Sequence, residues 1–67
     1  MADAVSALIS LTGHGTTEKV RIEAIRSLAL HLEDERVVAA LISLTGHGTT
    51  ENVRIEAVRA LGGRNRG

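Results

Sequence analysis

The residues of this chain best suited to chemistry are two histidines, each held between glycines. His14 lies in Gly13-His14-Gly15 and His47 in Gly46-His47-Gly48, and both turns continue Thr-Thr-Glu. A neutral imidazole is the commonest metal ligand among side chains, and flanking glycines let the backbone approach an ion closely. A helix starting a few residues later adds the positive end of its dipole, which suits an anion. Turns of neighbouring repeats stack about 10 Å apart, so two imidazoles so placed could share a metal, most readily across a dimer interface. A complete zinc site needs further ligands. The chain has no cysteine, and neither turn holds an obvious carboxylate. His14 and His47 are therefore kept as candidates for a metal or anion site, while the expectation is a copied turn with no metal and no cofactor. His31, between Leu30 and Leu32, is expected at a surface or interface.

Other polar residues recur in pairs. Arg21 and Arg54 each follow a valine in the same register. The expectation is a ladder in which each pairs with a carboxylate of its own or the next repeat; a basic row for an acidic partner is the alternative. Glu23 and Glu56 are copies of one position, have no nucleophile beside them, and are expected to be solvated. Ser10, Ser43, Thr12 and Thr45 do not sit in a Gly-x-Ser-x-Gly elbow. The Gly-His-Gly-Thr-Thr run lacks the glycine spacing and lysine of a phosphate loop. No catalytic residue is expected, and no enzyme.

The elements that position these residues follow from a repeat. Residues 7–28 read ALISLTGHGTTEKVRIEAIRSL, and residues 40–61 read ALISLTGHGTTENVRIEAVRAL. The offset is 33 residues, and 3 of the 22 aligned positions differ: Lys19/Asn52, Ile25/Val58 and Ser27/Ala60. A period between about 20 and 50 residues marks a stacked repeat architecture. Such near-identity fits a recent duplication or a designed sequence. Glycine, the main punctuation of helices, falls at Gly13/Gly15, at Gly46/Gly48 and at the C-terminal Gly62, Gly63 and Gly67.

Between the glycines the apolar spacing is helical. The spacing predicts helices over 3–12, 17–31, 35–45 and 50–62, in repeats 1–33 and 34–62 of a single domain, with 63–67 a flexible tail. Thr16 or Thr17, Thr49 or Thr50, and Asp34 are the expected N-caps. The junction between repeats leaves two readings open. No glycine or proline occurs from Thr16 to Thr45. Residues 29–36 therefore either turn at Glu33-Asp34-Glu35-Arg36 or continue as one helix of about 28 residues. A continuous helix would hold the halves apart and make a domain-swapped dimer.

Composition narrows the function classes. The chain has 67 residues, 43% of them hydrophobic, and no Phe, Tyr, Trp or Cys. Its core must come from Leu, Ile, Val and Ala, without a disulfide, and a core of that size is marginal alone. Eight basic and eight acidic residues cancel, so no bulk field draws it to nucleic acid or an anionic membrane. The apolar runs fall far short of a membrane span. Met1 to Leu11 lacks the basic start of a signal peptide. A soluble, cytoplasmic protein is the expectation.

The stretches DERVVAALISL and ENVRIEAVRALG resemble the short HEAT-like repeats of the phycobilisome-lyase type. Asp34, Val38, Leu41, Ile42 and Leu44, then Val53, Arg54, Ala57, Ala60, Leu61 and Gly62, occupy that pattern. The first copy matches at Val5, Leu8, Ile9, Leu11, Val20, Arg21, Ala24 and Leu28, and departs at Ser27 and Ala29. The resemblance implies an all-α stack of antiparallel helix pairs. It carries no lyase activity with it, since such repeats range from pigment-attaching enzymes to plain scaffolds. Two repeats are fewer than the three or so of a comfortable stack. Val5, Leu8, Ile9, Leu30, Leu32, Val58 and Leu61 are expected to form an interface, most simply in a two-fold homodimer. The expected function is a protein-interaction or self-assembly module; the alternatives are an accessory of a pigment lyase-like protein or a metal-binding repeat.

Overall fold

A computed structural model describes residues 3–63, and every ordered element in them is helical. The elements are α1 (Ala4–Leu11), α2 (Glu18–Leu28), a 3-10 turn (Ala29–His31), α3 (Glu35–Ser43) and α4 (Glu51–Gly62). The expected helix starts hold to within a residue. The ends of the first three helices fall short, because α1 and α3 close tightly at Thr12 and Leu44 and α2 gives way to the 3-10 turn. Of the residues assigned to a tail, 64–67 lie outside those described.

Each helix starts on a side-chain cap. Asp3 accepts from the Ser6 N–H at 2.8 Å, and Asp34 from the Arg36 N–H at 2.9 Å. Thr17 and Thr50 each accept from an N–H three residues on, at 3.3 Å. These bonds satisfy amides that a helix start leaves without partners. Thr17 and Thr50, rather than Thr16 and Thr49, fill the role, and the second pair is free for other work.

The junction turns. Asp34 adopts extended backbone, φ −90° and ψ 118°, between two helices. Its N–H donates to the His31 carbonyl at 3.0 Å, and its carboxylate accepts from the start of α3. The continuous helix is not adopted, so the two repeats pack on each other within one chain. α4 ends at Gly62, as the spacing predicts, and Gly63 caps it with ordinary right-handed dihedrals, φ −65° and ψ −26°. No described glycine has positive φ.

Helices this short are marginal alone, so packing must hold them. α1 lies on α2 and α3 on α4, while α2 stacks on α4 and α1 touches α3. Ile25, Leu28, Val37, Leu41, Val53, Ala57 and Ala60 form the core, with Val5, Leu8 and Ile9 of α1 partly buried against it. The stack is a slab of 32 × 31 × 16 Å, its thin direction about two helix layers.

Candidate functional site

The best-enclosed polar side chain is Arg21, at 4% exposure. Its Nε donates to the Thr12 carbonyl at 2.9 Å, and its Nη2 donates to Thr49 Oγ1 at 2.7 Å. Contrary to expectation, no described carboxylate accepts from it. The cation instead meets the C-terminal end of α1, where unpaired carbonyls carry partial negative charge, and then bridges to the next repeat's turn. Arg54 repeats the first half of this arrangement, donating from Nε to the Thr45 carbonyl at 3.2 Å. Each arginine thus closes the carboxyl end of the helix before it, nine residues upstream. That spacing is identical in both copies and is readable in the sequence. The link to Thr49 is not, because it depends on how the repeats stack.

Arg21 forms the inner wall of a groove of about 410 Å³ between the two glycine turns, where it meets Thr12, His14, Ser43 and Thr49. His14 reaches this groove, while His47, exposed on the second turn, is not part of its lining. No three His, Cys, Asp or Glu among the described residues come together as a metal-binding group. The turns that carry the histidines therefore hold a cation in their midst, and a buried guanidinium disfavours a second cation nearby. The glycines need no special backbone. A Cβ on Gly15 or Gly48 would meet nothing within 4 Å.

Polar contacts tie the two repeats together in period. Thr50 Oγ1 donates to Glu18 Oε2 at 2.6 Å, and Asn52 Nδ2 donates to Glu18 Oε1 at 3.3 Å. The Thr50 hydroxyl, before Asn52, holds the Glu18 carboxyl below its ordinary range. Arg26 donates to both Glu56 oxygens at 3.3 and 3.4 Å. Glu56 also accepts from Arg59 at 3.4 Å. It is half-buried rather than solvated as expected, while Glu23 remains exposed and pairs with Arg26. Across the other layer Arg36 donates to Asp34, Asp3 and Ser6, closing a clasp from the junction to the start of α1. Nothing in the periodic part of the sequence announces this clasp, because Arg36 and Asp3 precede the copied stretch.

The two ends of the slab repeat seam positions that stand exposed among the described residues. Ile25 is fully buried between repeats, and its copy Val58 is 58% exposed. Val53 is fully buried on the opposite side of the seam, and its copy Val20 is 39% exposed. Of the residues expected to form an interface, Val5, Leu8, Ile9, Leu32 and Leu61 lie partly buried against the chain's own core. Leu30 and Val58 are exposed, Leu30 at 79%. His31, on the 3-10 turn, sits half-exposed within 4.0 Å of Glu33.

Helix pairs in register, stacked along one seam with a periodic polar ladder and apolar ends, define an α-helical repeat scaffold. The chain belongs to the HEAT repeats, whose family model matches residues 2–66. Neither a curated protein nor a solved structure matches it. Repeats of this family generally mediate protein–protein contacts or scaffolding. The match is to HEAT repeats as such and does not reach the lyase-type subclass. No described helix is long and apolar enough to cross a membrane.

Proposed function

We propose that this chain is a protein-interaction module without catalysis of its own, and that the ends of its helical stack are the interacting surfaces. The observation that carries this reading is the exposure of Val58, at 58%, where the same position in the first repeat is fully buried. An outer face that meets water usually carries polar side chains. The α4 end of this slab keeps a valine and, on α3, an exposed Ile42. The first partner is another copy of the chain, with a homodimer as the smallest assembly. The described polar side chains support no competing chemistry, since Arg21 is engaged with backbone and threonine rather than held ready for a substrate. Sedimentation velocity across a concentration series, alongside circular dichroism, tests the reading. Association of a helical chain is expected; a folded monomer throughout the series sinks it.

A further inference from the structure

The side-chain contacts that tie Glu18, Arg21 and Arg26 to the second repeat have counterparts at both ends of the slab, where no further repeat meets them among the described residues. Glu18 holds Thr50 and Asn52 across the seam. Its copy is Glu51, and the copies of its partners are Thr17 and Lys19. The side chains of Glu51 and Lys19 make no hydrogen bond or ion pair among the described residues. Arg26 holds Glu56; the copies are Arg59 at one end and Glu23 at the other. Arg21 holds Thr49, while among the described residues Arg54 donates to the Thr45 carbonyl alone, and the copy of Thr49 is Thr16. The apolar part follows the same rule, with Val58 exposed at one end and Val20 at the other where Ile25 and Val53 are buried in the seam.

We infer that copies of this chain stack head to tail, the α4 end of one molecule on the α2 end of the next, so that the seam between repeats continues from molecule to molecule. The inference rests on the interaction reading above and gives it a direction. Translation by one more period puts Val58 of one copy over Val20 of the next, Arg54 against Thr16, and Arg59 against Glu23. It also puts Glu51 against Lys19. That pair is an ion pair where the internal seam has only a carboxylate and an amide, so the end surfaces are electrostatically complementary. The same shift brings Asp3 of the next copy toward Arg36, again opposite charges. The two ends are different surfaces, so the contact is heterologous and does not close at two. A two-fold dimer through either end would instead bury two copies of the same surface, so that Glu51 of one copy never meets Lys19 of the other.

The test is sedimentation equilibrium of the whole chain from micromolar to millimolar concentration, with two single variants and their mixture. Val58→Asp spoils one end and Val20→Asp the other. The wild-type mass is expected to climb past two copies without a plateau. Each variant alone is expected to remain a single copy. Their equimolar mixture is expected to stop at two copies, because one intact head meets one intact tail. Lys19→Glu and Glu51→Lys change exposed side chains that hold no other described residue, so they guard against loss of folding. Each alone should weaken association at least tenfold, and their mixture should restore it. A wild-type plateau at two copies that Val58→Asp abolishes and Val20→Asp leaves intact overturns the head-to-tail arrangement while leaving self-association standing. A folded monomer at millimolar concentration overturns both.

Discussion

Ile25 and Val58 occupy the same place in two nearly identical repeats, and one is fully buried while the other is 58% exposed. Arg21 and Arg54 differ in the same sense. Both close the helix before them, but only Arg21 also reaches a second repeat, through Thr49. Local sequence is nearly the same at both places, so neither propensity nor capping produces the difference. What differs is the neighbour. A side chain in a stacked repeat contributes according to whether another repeat follows it, which is why stability in such proteins divides into intrinsic and interface parts.

The most direct way to break this comparison is to truncate the two copies of the apolar position. Ile25→Ala removes a fully buried side chain from the seam and is predicted to cost about 2–5 kcal/mol. That is a large share of what so small a fold holds. Val58→Ala, measured in dilute solution, is predicted to change stability by less than about 0.5 kcal/mol, as exposed substitutions do. Urea midpoints of the two variants decide the matter. Equal losses would mean that the end position is covered after all.

The arginines give the next largest contrast. Arg21→Ala leaves the Thr12 carbonyl and the Thr49 hydroxyl without their charged donor inside a closed site. A loss of about 2–3 kcal/mol is expected, against about 1 kcal/mol for Arg54→Ala. The single bond of Arg54 is longer and closer to water. Thermal unfolding of both variants measures the gap. A gap near zero would show that the bridge to Thr49 contributes nothing.

Much of this is legible in the order of residues alone. The period and the helical segments follow from glycine placement, capping residues and apolar spacing, since those features act within a repeat, whereas at the glycine-free junction they leave the Asp34 turn as one of two readings. Arg21 escapes that reading for a definable reason. Pairing a charge with the nearest opposite charge ignores the carbonyls at a helix end, which are acceptors with no side chain to advertise them. The three differences between copies are mild as substitutions. In the structure each one separates the seam from an end: Asn52 holds Glu18 where Lys19 has no such partner, Ile25 is covered where Val58 is not, and Ala60 is buried where Ser27 is only half so. Only stacking reveals which side of a repeat a position faces.

A smaller effect, of opposite sign, sharpens the comparison of the turns. Gly48 has no positive φ, and a Cβ there meets nothing within 4 Å. Gly48→Ala should therefore stabilise the fold by about 0.4–1 kcal/mol by narrowing the unfolded ensemble. A loss of stability by chemical denaturation would mean that the turn visits backbone conformations only glycine allows.

The smallest expected effect lies in the clasp between the repeats at the starts of α1 and α3, where the seam is polar rather than apolar. The Ser6 amide, then Arg36, holds the Asp3 carboxyl down at about 2, against an ordinary 3.8. Asp34 is lowered as well, chiefly by Arg36. A carboxyl that is more acidic in the folded state binds fewer protons there than when unfolded, so acid favours unfolding. The clasp's contribution is complete above the ordinary 3.8 and is lost as pH falls toward about 2. These groups are open to water, so salt screens them and their share is slight. Urea midpoints followed from neutral pH downward should decline through that window. Asp3→Asn should flatten part of the decline without altering the gap between Ile25→Ala and Val58→Ala, because that gap arises from buried area and not from charge. A variant whose acid profile matches the wild type would remove Asp3 from the clasp and leave the Arg36–Ser6 hydrogen bond and the apolar packing to link the repeats on that side.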